Sequence, residues 1–432
     1  MSAIFDTLQI INDFLWNYIA ITIILILGSY LTIKSRFFQF RTLFTLRKTI
    51  RESIESSNKT GGCGTHPLKL YFASVGGMIG LGNLVFVMGT VALGGPGSLV
   101  WLWIAAIVGM LMKYSEIYLG IKYRIRYKNG YNGGPMYYLR SAFKSRLLPI
   151  VVAFLLCIYG IEIFQFHVIV ASVSETFHLH KMLCVIGLLI LIFLSALGGV
   201  KRLANICTII MPPFMLIYII IAIYIIIDNS ALLPETLSII WHSAFHGYAP
   251  IGAFAGSTLV AAAHFGASRA VYSGDIGIGY DSIVQSETSA QDPVKHAKLS
   301  IFALFTDSLI CTLSILLVLL TGVWNSGLPH HQLVANAMNA YLPYTDIFLT
   351  TLFFFAGFTT LIAFMVVGIK CATFLSKKYG KTLYILYAVF AFIFFSFQDQ
   401  EKVVLIMELS GGLLMVINML GVFKLRKEIK FD

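Results

Sequence analysis

The stretch Gly76-Gly77-Met78-Ile79-Gly80-Leu81-Gly82-Asn83 interrupts an apolar run long enough to cross a bilayer. Each glycine costs a helix interior about 1 kcal/mol relative to alanine, and a backbone group freed in hydrocarbon must be satisfied by protein or ligand. A break at that depth therefore predicts a buried binding site. Half-helix ends offer partial positive charge at an N-terminus and partial negative charge at a C-terminus, which suits a carboxylate and a small cation. The amides freed at the turn, with Gly80, Gly82 and Asn83, are expected to hold a carboxylate without a buried arginine.

A second small, polar stretch, Gly252-Ala253-Phe254-Ala255-Gly256-Ser257-Thr258, lies within another apolar run. Gly256, Ser257 and Thr258 would offer amides, carbonyls and hydroxyls to an ammonium group, with Phe254 bounding the side-chain pocket. Breaks at corresponding places in two halves of a chain point to an inverted-repeat transporter with a midplane site. The competing reading is that small residues let helices pack closely.

Ionisable and hydroxyl side chains inside apolar runs are the other candidates. Glu162 near the middle of a span costs at least about 2.5 kcal/mol on insertion scales, so a pathway, substrate or proton role competes with a structural hydrogen bond from a protonated carboxyl. Gln165, one turn on, shares its helix face, and His167 lies on the same helix. Thr359 and Thr360 provide hydroxyl oxygens of the kind a hard cation wants, against the alternative of bonding back to their own helix. Asp307, between Thr306 and Ser308, fits an ion path or an interhelical hydrogen bond, the second being favoured. Lys113 and Glu116, three apart, read as a helix-surface ion pair. Arg269 and Asp275 read as an intracellular gate or a solvated loop pair. No metalloprotease, nucleophile-elbow or phosphate-loop pattern organises the histidines or hydroxyls, which argues against an enzyme.

The elements that must position these residues are membrane helices. Of 432 residues, 58% are hydrophobic and 12% charged, the composition of a polytopic membrane protein. The net charge of +11 falls in alternate loops between apolar segments, as the positive-inside rule expects, so nucleic-acid binding is set aside. The six cysteines are scattered without metal-ligand spacing and read as core residues. An all-α fold of about eleven spans is predicted: a first helix near residues 14 to 33, then 67–93, 97–120, 148–175, 182–198, 206–228, 248–273, 297–322, 346–375, 382–397 and 402–423. Between the first two lies a basic, aromatic segment from Lys34 to Lys59, expected to be an amphipathic surface helix. Setting the first helix aside leaves two groups of five with opposite orientation, each opening on an interrupted helix. The corresponding units are residues 1–66, 67–228, 229–423 and a tail at 424–432, in an inner or plasma membrane, with the N-terminus outside and the tail cytoplasmic.

The motifs also carry a resemblance. Ala92-Leu93-Gly94-Gly95-Pro96-Gly97, Trp101-Leu102-Trp103, Gly109 to Glu116, Gly133-Gly134-Pro135-Met136-Tyr137-Tyr138, Gly198-Gly199-Val200-Lys201-Arg202 and Phe265-Gly266-Ala267-Ser268-Arg269 follow one another as in the alanine or glycine:cation symporters. The chain resembles that family over most of its length. The resemblance implies a leucine-transporter-type core of ten helices, symport of alanine, glycine or another small neutral amino acid with a cation, and no resident cofactor. It also implies that Thr359 and Thr360 lie against the first broken helix, with carbonyls of Gly76 and Ile79 completing a sodium shell. Three departures bear on substrate and coupling ion, leaving proton coupling as the alternative. Leu81 stands where the family often has Thr, Gly160-Ile161-Glu162 where it typically shows Gly-Asn, and Ser273-Gly274-Asp275 where it has Ser-Asn-Glu.

Overall fold

The computed structural model describes residues 2–58, 63–127, 130–246, 259–328, 332–396 and 400–431. The first span begins well before the expected residue 14: α1 (Ser2–Phe14), a π-helical turn (Leu15–Ala20) and α2 (Ile21–Lys34) run on from one another. The amphipathic segment forms α3 (Phe38–Leu43) and α4 (Leu46–Asn58). Then α5 (Pro67–Met78), a π turn (Gly82–Phe86) and α6 (Val87–Gly94) make the first interrupted span, bent by 48°. His66 accepts from the Leu68 amide ahead of Pro67, and Gly95 (φ 75°) with Pro96 closes the other end, the usual start and stop chemistry.

There follow α7 (Ser98–Lys122), the hairpin strands β1 (Ile125–Tyr127) and β2 (Gly130–Asn132), α8 (Pro135–Phe143), α9 (Leu147–Tyr159) and α10 (Ile163–Phe177). The second of these spans was expected to run unbroken from 148 to 175. It is interrupted at Gly160, Ile161 and Glu162, where Glu162 adopts a non-helical φ of −72° and ψ of 66°; glycine stands at 160 because an added Cβ would lie 2.9 Å from Tyr384 Oη. The chain continues through α11 (Lys181–Ala196), α12 (Gly199–Asp228), α13 (Leu233–His246), α14 (Leu259–Gly274), α15 (Tyr280–Gln285), α16 (Pro293–Leu320), α17 (Leu333–Asn339), α18 (Thr345–Leu375), α19 (Gly380–Phe395) and α20 (Gln400–Lys424). Helix α13 lies between the expected spans 206–228 and 248–273, where no helix was expected.

Among the described residues seven helices are long and apolar enough to cross a membrane, or eight counting the bent pair. Two shorter apolar helices, α11 and α19, accompany them. Packing is close where small residues meet backbone. Helix α14 lies along α7, where a Cβ on Gly266 would stand 2.3 Å from Ser98 O. The break in α5 and α6 is enclosed by α12, α16 and α18.

Candidate functional site

Helix α5 ends where Ile79 turns to extended backbone (φ −81°, ψ 92°), its amide still bonded to Val75 O at 2.7 Å. The next two amides are met by side chains: Gly80 N donates to Asn83 Oδ1 at 3.3 Å and Leu81 N to Gln165 Oε1 at 3.4 Å. Two of the amides expected to receive a carboxylate thus already have protein partners, both at long distances. Asn83 is pinned in turn, since its Nδ2 donates to Asp307 Oδ1 at 2.6 Å. The other oxygen of Asp307 accepts from Ser273 Oγ at 2.9 Å. Asp307 therefore ties the first broken helix to α14, in agreement with the interhelical hydrogen bond favoured for it.

The two threonines on α18 behave differently. Thr360 Oγ1 lies 3.2 Å from Gly76 O, across from its own helix, and 3.2 Å from Ala356 O. The Thr359 hydroxyl donates back to Ala356 O at 2.9 Å and Phe355 O at 3.1 Å, and lies 3.5 Å from Met211 Sδ. Gly76 O and Thr360 Oγ1 form a pair of adjacent hard oxygens suited to a small cation, whereas Thr359 is held by its own helix.

A cavity of about 650 Å³ adjoins the break, within the roughly 300–1,000 Å³ common for small-molecule sites. Gly82, Glu162, Gln165 and Thr360 line it, with aromatic walls from Phe86, Tyr159, Phe164, Tyr272 and Phe364. Gly76, Ile79, Gly80, Asn83 and Thr359 lie behind this lining. Phe254, Gly256, Ser257 and Thr258, with the rest of the second break, lie outside the described residues. Glu162 is 6% exposed, and Gln165 Nε2 donates to it at 3.5 Å.

Several lining residues were not expected. Arg269, Ser268, Tyr272 and Phe265 form a stripe of α14 at helical spacing that faces the cavity, and Asp275 joins it. Arg269 and Asp275 are thus buried cavity residues rather than a solvated loop pair, because the opposite, small-residue face of α14 is consumed by α7. The first helix, set aside as outside the core, contributes Gln9, Asn12, Asp13 and Trp16. Asn12 Nδ2 and Trp16 Nε1 donate to Glu408 Oε2 and Glu408 O at 3.0 and 3.1 Å. The i, i+3/i+4 stripe in α14 was readable, but its side could not be chosen without the α7 contact.

The expected surface pair of Lys113 and Glu116 is also corrected. Both are fully buried, and Lys113 Nζ pairs instead with Asp281 Oδ2 at 3.2 Å while donating to Gly274 O at 2.7 Å. Ser74 Oγ adds a 2.6 Å bond to the same carboxylate oxygen. The apolar face of α7 is used up by the neighbouring α14, α15 and α16, so Lys113 finds its partners inside. Among the described residues no His, Cys, Asp or Glu cluster could hold a metal ion.

A charge-lined cavity beside a broken membrane-length helix is the architecture of a transporter. A solved structure with a similar fold is that of MHP1, a nucleobase-cation-symport-1 family transporter, at TM-score 0.57 and 13% identity, covering 79% of this chain and 73% of that one. The sequence matches the sodium:alanine symporter family over residues 1–431, and the chain belongs to that family. It is 30% identical to an uncharacterized transporter of Haemophilus influenzae, covering 98% of this chain and 94% of the relative. It is 28% identical to the probable sodium/glutamine symporter GlnT of Bacillus subtilis (97% and 88% covered). The sodium/alanine symporter AgcS of Methanococcus maripaludis is likewise 28% identical (87% and 84% covered). The protein is a membrane transporter of amino acids and not an enzyme.

Proposed function

We propose that the protein is a sodium-coupled symporter of small neutral amino acids, alanine or glycine, working by alternating access. It would use a core of two five-helix inverted repeats, residues 67–228 and 229–423, preceded by an N-terminal unit (1–66) that starts outside and followed by a cytoplasmic tail (424–432). The observation that carries this reading is the meeting of three things at one break: the Gly76 O and Thr360 Oγ1 pair, the cavity, and the buried Glu162 with Gln165 on its wall. In this reading the cation sits between Gly76, Ile79 and Thr360, with Thr359 reaching it only after giving up its helix bonds. The substrate ammonium faces Glu162, and Gly80, Gly82, Asn83 and Gln165 shape the carboxylate end. Phe254, Gly256, Ser257 and Thr258 close the site from the second break. Four carboxylates, Asp13, Glu162, Asp275 and Glu408, share the cavity lining with one guanidinium, an excess that favours a cation as companion.

The size of the cavity favours a second substrate, glutamine, which the name of the GlnT relative also suggests. Uptake of labelled alanine, glycine and glutamine into proteoliposomes, with sodium and proton gradients imposed separately, tests both points. Concentrative uptake driven by sodium alone supports the reading; uptake driven only by protons turns it to proton coupling. Thr360→Ala is expected to raise the sodium concentration for half-maximal uptake about tenfold, equal to about 1.4 kcal/mol. An unchanged sodium dependence would remove Thr360 from the site.

A further inference from the structure

Arg269 is 8% exposed, and its Nε is buried without a hydrogen-bond partner. No carboxylate oxygen stands within 4 Å of its guanidinium among the described residues. A buried cation with no partner is costly, and an anion that supplies one recovers much of that cost. The guanidinium is aimed at the break. A Cβ built on Gly82 would stand 2.5 Å from Arg269 Nη2, so glycine at this position leaves the room that the guanidinium occupies. Glu162, within electrostatic range of Arg269, lines the same cavity. The two walls thus carry groups of opposite charge that make no ion pair with each other.

We propose that Arg269 is the anchor of the substrate's α-carboxylate, holding it through its planar fork beside the Gly82 turn, while Glu162 faces the ammonium group. This deepens the function proposed above and rests on it. The Gly80 and Leu81 amides are already occupied by Asn83 and Gln165, which leaves the guanidinium as the strong donor at the site. An arginine fork takes a carboxylate through two parallel hydrogen bonds, which a lysine cannot reproduce.

The full-length protein, purified in lipid nanodiscs, is titrated with alanine and alaninamide, with glycine and glycinamide, and with glutamine and glutaminamide, at fixed sodium. The amides keep the ammonium and lose the carboxylate charge. The wild type is expected to prefer each acid to its amide. Arg269→Gln is expected to lower that preference at least about 30-fold, and Arg269→Lys to lower it about tenfold, in line with the cost of truncating one partner of a buried charge pair. Gly82→Ala keeps the arginine but pushes its flexible end away, so it lowers the same ratio, and it adds nothing in the Arg269→Gln background. If Arg269→Gln does not fold, Gly82→Ala decides. An acid-to-amide ratio unchanged in whichever variant folds overturns the assignment. A wild type that binds neither alanine, glycine nor glutamine overturns the functional reading itself, and the anchor with it.

Discussion

At Gly80 the chain has no room for a methyl group. An added Cβ would fall 2.6 Å from Gln165 Oε1 and 2.7 Å from Thr360 Oγ1, one a proposed substrate contact and the other a proposed cation contact. Gly80→Ala should therefore disturb both ligands at once, raising the half-saturating concentrations of amino acid and of sodium together by about tenfold or more, read from initial uptake rates. Gly187, on an exposed turn of α11 with nothing within 4 Å of an added Cβ, is the control. Its change to alanine should leave uptake unaltered and, as a helix-interior glycine, gain up to about 1 kcal/mol. If Gly80→Ala shifts only the sodium term, Gln165 is not a substrate contact. Glu162 was legible in the sequence because a carboxylate stands out in an apolar run. Arg269 was equally visible, but its meaning was not, since only the packing of α7 on the small-residue face of α14 decides that the guanidinium points into a cavity. The threonines were separated by the same kind of detail: consecutive hydroxyls on a helix face different neighbours, and only Thr360 reaches Gly76 O.

The first broken helix and α14 are coupled through one side chain. Asp307 on α16 accepts from Asn83 in the first break and from Ser273 near the end of α14, so the turn that ends one half-helix and the stripe that carries Arg269 share a carboxylate. An asparagine at 307 could satisfy only one of these donors and would turn its own amide hydrogens toward the other. Leaving a buried polar group unsatisfied costs about 1–3 kcal/mol, which is roughly 5- to 150-fold in an equilibrium. Asp307→Asn is expected to slow turnover by about tenfold or more with protein still present in the membrane, and Ser273→Ala to act in the same direction more weakly. Turnover at the wild-type rate in Asp307→Asn would show that the two helices move independently. The first break was legible because four glycines fall within seven residues, from Gly76 to Gly82. The interruption at Gly160 was not, because a single glycine in a long apolar run is indistinguishable from one that lets a neighbour such as Tyr384 approach. The buried ion pair of Lys113 and Asp281 escaped for a related reason: spacing along one helix says nothing of a partner 168 positions away on another.

Across the whole molecule, the N-terminal helix and the segment after α20 are both built into the fold. The N-terminal helix, treated by sequence as an addition to the core, lines the cavity and holds Glu408 through Asn12 and Trp16. The residues after α20 close over the end of α7. Tyr114 Oη donates to Lys430 O at 2.6 Å, Phe431 stacks on Tyr114 with ring centroids 5.4 Å apart, and Leu425 and Ile429 are buried. Lys122 Nζ and Tyr123 Oη both donate to Glu428 Oε2 at 2.7 Å, and Lys34 reaches Arg426 O. A short basic tail reads as solvated from its sequence, since its apolar residues are few and nothing in the sequence shows that Phe431 packs between Phe38 of α3 and Tyr114 of α7. Burying two aliphatic side chains contributes about 1.5–3 kcal/mol each, so ending the chain at Lys424 should lower the thermal midpoint in detergent by several degrees. Phe431→Ala should give a smaller fall. The bonds from Lys122 and then Tyr123 hold the Glu428 carboxyl below its ordinary range, so this part of the clasp is fully present above about pH 4.3, the unperturbed glutamate value. It is lost as acid protonates Glu428 below that. Glu428→Gln should therefore lower the midpoint slightly at neutral pH and remove part of the acid sensitivity of the wild type. A tail-truncated protein with the wild-type midpoint and the wild-type acid response would show that the clasp carries no stability.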